Sequence, residues 1–64
     1  MDPVQRLYMT IQQENYKIQQ TTQLIESSTG DIQVAYSTIQ AVHVSTVAGL
    51  TTTVYQYIST SLSQ

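Results

Sequence analysis

The sequence predicts an all-α protein, two helices folded as a hairpin (or one long kinked helix) and completed by oligomeric packing. Three features carry this reading. The stripe Ile32, Tyr36, Ile39, His43, Val47, Leu50, Val54, Ile58 and Leu62 advances in steps of three and four, the spacing of one helical face. After Asp31 the chain has no Lys, Arg, Asp or Glu. Half of a 64-residue protein is thus a mildly apolar surface without the charges that keep a solvated helix in water. Between the halves, Ser27-Ser28-Thr29-Gly30-Asp31 interrupts the periodic pattern with turn residues.

The first helix is expected from about residue 3 to 27. Asp2 can cap it, and Pro3 fits its first position, where no backbone N–H is needed. Val4, Ile11, Ile18 and Ile25 repeat every seven residues and form a narrow seam. Leu7 and Tyr8 widen it at the front and Leu24 at the rear; Glu14, Asn15, Thr21 and Thr22 between them are polar. Asp2 with Arg6 and Glu14 with Lys17 stand at helical pair spacing, as solvated pairs on an exposed face.

A turn over 28–31 follows. Gly30 suits the left-handed residue after a helix and Asp31 the cap of the next.

The second helix is expected over about 32–62. Ile32/His43/Val54 and Tyr36/Val47/Ile58 superpose at an interval of eleven, which favours straight or gently right-handed packing. A second line, Val34, Ala41, Ala48 and Tyr55, runs beside the first with Ala35 and Val42 near it. An apolar arc this wide is normally covered on more than one side. Ala41, Ala48 and Gly49 permit close helix approach, with a kink or turn at Gly49 as the competing reading. Thr51, Thr52 and Thr53 can bond to carbonyls one turn earlier. A β reading of Val42-His43-Val44 and 54–58 competes on propensity, but the alternation fails over longer spans.

Composition excludes several function classes. The net charge of −2 rests on four acids against Arg6 and Lys17, too few basic residues to grip a phosphate backbone. There is no Cys, so no disulfide or thiolate metal site. The N-terminus opens with an acid and has no apolar h-region, so no secretory signal is expected. Residues 41–58 are uncharged for about the length of a membrane span. His43, Gln56 and the Thr run nevertheless lower their hydropathy, which leaves lipid contact as a secondary reading. Ten Thr, ten Gln and seven Ser make the surface polar but charge-poor, while Ile, Val, Leu and Tyr recur too regularly for disorder.

No residue set reads as catalytic, cofactor-binding or metal-binding. His43 has no acid or second His within reach on its own helix, and a metal needs three or four ligands. At a subunit contact it would couple assembly to pH, because imidazole changes charge near neutrality. Tyr8, Tyr16, Tyr36, Tyr55 and Tyr57 lack the basic neighbours of a nucleic-acid platform, and Tyr supplies contact area between subunits. Asp2, Glu14, Glu26 and Asp31 are scattered at caps and on the outer face rather than paired for acid–base work.

The expected function is therefore that of a structural self-assembling subunit, not an enzyme, in a virion, capsid or filament. The composition is like that of virion and surface-filament proteins in general, without a family motif. The expected subunit interface is Ile32, Tyr36, Ile39, His43, Val47, Leu50, Val54, Tyr57, Ile58 and Leu62. Its partners would be other copies of the chain and a larger shell or filament protein. A small helical adaptor or tether is the alternative. No cofactor, nucleic acid or small-molecule substrate is expected.

Overall fold

The computed structural model describes residues 2–63. They form two helices, α1 (Pro3–Glu26) and α2 (Gly30–Ser63), with no strand among the described residues. The helices lie antiparallel, since Glu14 meets His43 and Ile25 meets Gln33. The kinked single helix does not occur.

At α1's start the Asp2 carboxylate accepts the Val4 N–H at 2.8 Å, with Pro3 opening the helix. That use of the carboxylate replaces the anticipated Asp2–Arg6 ion pair: Arg6 meets Asp2 only through its backbone N–H, which donates to the Asp2 carbonyl at 3.0 Å. Among the described residues, the Lys–carboxylate bridge is Lys17–Glu14 at 3.2 Å.

The turn is shorter than the sequence suggests. Ser27, Ser28 and Thr29 connect the helices, and Gly30 already belongs to α2 with φ +65°. The left-handed residue therefore opens α2 instead of closing α1, and Asp31 sits in the first turn of α2, where its charge suits the positive helix end. The carbonyls at the end of α1 are served locally. Ser27 Oγ donates to the Leu24 carbonyl at 3.2 Å. The Ile25 carbonyl accepts from the Ser28 N–H at 3.3 Å and from Gln33 Nε2 at 2.9 Å. Gln33 thus ties the second helix to the end of the first.

The residues turned toward each other are Val4, Leu7, Ile11, Glu14, Ile18, Thr21 and Ile25 on α1, and Gln33, Tyr36, Gln40, His43, Val47, Leu50 and Val54 on α2. Both series alternate steps of three and four, an average of 3.5 residues per turn, the spacing of a left-handed coiled-coil seam. The eleven-residue spacing does not describe this packing. It joined seam residues to flanking Ile32 and to Ile58 past the start of α1, and passed over Gln33 and Gln40 because they are polar.

The molecule measures 52 × 17 × 12 Å. At 1.5 Å per residue α2 accounts for about 51 Å of that length and α1 for about 36 Å. Pro3, Arg6 and Leu7 border a shallow depression with Thr53 and Tyr57, so residues 58–63 run past the start of α1. Among the described residues no apolar side chain is buried, and Thr21, 7% exposed, is the one buried residue. The accessible surface is 4905 Å². A compact monomer of 7.2 kDa would expose about 4,100 Å², which leaves an excess of about 800 Å².

Candidate functional site

The half of the seam nearest the turn holds its polar residues, Glu14, Thr21, Gln33, Gln40 and His43, among Ile18, Ile25 and Tyr36, and several of them bond across the hairpin. Thr21 Oγ1 donates within α1 to the carbonyls of Lys17 and Ile18, at 3.0 and 2.9 Å, which lets a hydroxyl sit at the most enclosed point of the chain. Gln40 Nε2 reaches across to the Thr22 hydroxyl at 2.6 Å and the Ile18 carbonyl at 3.1 Å.

Glu14 and His43 occupy the next layer. His43 Nδ1 lies 2.6 Å from Glu14 Oε2, while Lys17 Nζ donates to Oε1 at 3.2 Å. The Glu14 side chain is 13% exposed and that of His43 23%. An ionised carboxylate can only accept, so Nδ1 carries the proton and Nε2 is the remaining basic nitrogen. The Glu14 carboxyl is held below the usual carboxylate range, first by the His43 hydrogen bond and then by that of Lys17. This corrects the placing of Glu14 on a solvated outer face: the carboxylate points into the seam, and its pair with Lys17 borders it.

A carboxylate–imidazole pair is also half of a nucleophile-activating arrangement. The nearby Thr46 hydroxyl is directed elsewhere, donating to the Val42 carbonyl at 3.0 Å. Among the described residues no group of three or more His, Asp or Glu is placed to hold a metal ion. What this polar layer does in the fold is fix the register of one helix against the other.

The outer faces of the two helices differ in kind. That of α1 carries Gln5, Gln12, Gln13, Gln19 and Gln20 around exposed Met9 and Tyr16, with Arg6, Lys17 and Glu26 exposed beside them. That of α2 carries Val34, Ala41, Val42, Ala48, Gly49 and Tyr55, all exposed and none charged. No helix of the described residues is long and apolar enough to cross a membrane.

The ten residues expected at a subunit interface divide between the seam, a flank of α2 and its end beyond α1. Tyr36, His43, Val47, Leu50 and Val54 face α1 and are half-buried. Ile32 and Ile39 are exposed on a flank of α2, and Tyr57 lies beside Pro3 and Leu7. Ile58 is exposed and Leu62 nearly free of neighbours, at 82% exposure, where α2 runs past α1.

No protein-family model, curated protein or solved structure matches this chain.

Sequence reasoning missed the partner of His43 because the acid comes from the other helix, 29 residues away. A signal for it was present. Continuing the Val4, Ile11, Ile18 and Ile25 line with companions three residues on selects Leu7, Glu14 and Thr21.

Proposed function

We propose that the chain is a structural self-assembling subunit, a small virion- or capsid-associated or filament protein, whose uncharged second helix packs against other subunits. The observation that supports this is the missing core. Two helices share one seam, interrupted by Glu14, Thr21, Gln33, Gln40 and His43, and no apolar side chain of the described residues is buried. Small domains close such a deficit with disulfides, metals or partners, and a chain without Cys is left with the last two. The excess surface of about 800 Å² equals one partner's share of a standard protein–protein interface. With this role goes a location in a virion or an extracellular assembly.

The test is the mass of the purified chain by light scattering over a dilution series, with electron micrographs of the concentrated sample. Closed shells, rods or large homo-oligomers are the expected result. A chain that stays a monomer or dimer and associates further only when another protein is supplied would be an adaptor, and the reading would fall.

A further inference from the structure

We infer that the outward face of α2, between Val34 and Tyr55, is the surface on which a second copy of this chain docks, α2 against α2. This rests on the self-assembly reading and adds the surface it uses.

Gly49 is the first argument. A glycine inside a helix costs about 1 kcal/mol relative to alanine. Gly30 needs its glycine for a positive φ, but Gly49 is not in that conformation. A Cβ built on Gly49 would meet nothing within 4 Å, so no packing inside the chain uses the missing side chain. A backbone approaching from outside would use it. Exposed Ser45 and Ala48 lie within about one turn of it and are small as well, and exposed Ala41 stands on the same face about one turn further back.

The hydroxyls of this face are the second. Thr38 Oγ1 donates to the Val34 carbonyl and Thr52 Oγ1 to the Ala48 carbonyl, both at 3.0 Å. These two donors are satisfied within the helix, so drying the face does not orphan them, and the exposed Ser45 hydroxyl of the same face is left to bond across the contact.

Charge identifies the occupant. From Ile32 onward α2 has no Lys, Arg, Asp or Glu, and Arg6, Glu14, Lys17 and Glu26 all belong to α1. A charged partner would find no counter-charge here and would lose its own hydration. A neutral copy of the same face neither repels itself nor leaves a charge unpaired. Self-complementary contact of this kind is the two-fold arrangement commonest among homo-oligomers, and it would supply one of the contacts that a larger assembly needs. The molecule as a whole exposes about 800 Å² more than a compact monomer of its mass, as much as one side of a stable interface covers.

The experiment is sedimentation velocity of the full chain over a concentration series. Parent, Gly49→Ala, Ala48→Glu and the α1 outer-face control Gln13→Glu are compared, with circular dichroism of each. Gly49→Ala should raise helicity at high dilution yet need at least about tenfold more protein to assemble, because the added methyl holds the backbones apart. Ala48→Glu should need at least about a hundredfold more, since it seats an unpaired carboxylate in a dry contact. Gln13→Glu should behave as the parent. If the parent assembles and both α2 variants assemble as readily, this inference is overturned and the self-assembly reading survives. A parent that stays monomeric at every concentration overturns both. A parent that binds phosphatidylcholine vesicles instead of itself makes lipid the occupant and likewise overturns the inference.

Discussion

Gln40 offers a test of how the polar part of the seam holds. Its amide makes two good hydrogen bonds across the hairpin, 2.6 Å to the Thr22 hydroxyl and 3.1 Å to the Ile18 carbonyl. A third contact, to Thr21 Oγ1 at 3.5 Å, is at the limit of a hydrogen bond and adds little. A neutral hydrogen bond contributes about 0.5–1.5 kcal/mol net, so the two together are worth about 1–3 kcal/mol. The low end applies, because removing Gln40 orphans nothing: the Ile18 carbonyl also accepts from the Thr21 and Thr22 hydroxyls, each at 2.9 Å. Gln40→Ala should therefore lose about 1–2 kcal/mol, bonds and stem contacts together, or roughly 4–16 °C in melting temperature for a chain of this size. Gln40→Leu has the opposite balance. It gives up the same bonds but adds apolar contact with Ile18, so it should melt within about 1 kcal/mol of the parent. Thermal and urea unfolding followed at 222 nm, with all chains at one concentration, would measure both. Equal losses in the two variants would refute the claim that the bonded acceptors are otherwise served. An unchanged Gln40→Ala would refute the clamp itself.

Two further predictions concern the same hairpin. The Glu14 carboxyl has its pKa lowered in the folded state, so its contribution is fully present above the unfolded value, about 4.3, and is lost as pH falls through the lower folded value. Melting temperature should therefore fall more steeply below about pH 4 in the parent than in Glu14→Gln, and identical acid profiles would refute the pairing. Gly30→Ala places a Cβ at φ +65° with open space around it, so only backbone strain acts, and the hairpin should lose about 1–2 kcal/mol in urea unfolding. Gly30→Asn should lose less, because asparagine tolerates that conformation better.

The helices and the turn were legible because they depend on local chemistry. Asp2, Pro3 and the Ser-Ser-Thr-Gly cluster act on the backbone within a few residues of themselves. The seam was legible only where it is apolar. Val4, Ile11, Ile18 and Ile25 announce their face, but Gln33 and Gln40 do not, since a glutamine reads as solvent-facing until a backbone carbonyl on the other helix is found for it. Spacing puts His43 on an apolar stripe facing other subunits; it faces α1, and its carboxylate partner was not legible because that pairing depends on which residues the turn brings level. Ile32, Ile39 and Ile58 joined the stripe by hydrophobicity although their side chains point to the flank or past the end of α1.

The placing of the polar bonds bears on how the chain closes. Gln33 to Ile25 spans eight residues, Gln40 to Thr22 eighteen, and His43 to Glu14 twenty-nine. Loop-closure entropy grows with span, so the directional contacts nearest the bend can form first, each shortening the search for the next. The hairpin should zip from bend to tips and fray in reverse, with amide exchange fastest at the start of α1 and in residues 58–63 of α2 and slowest around Thr21.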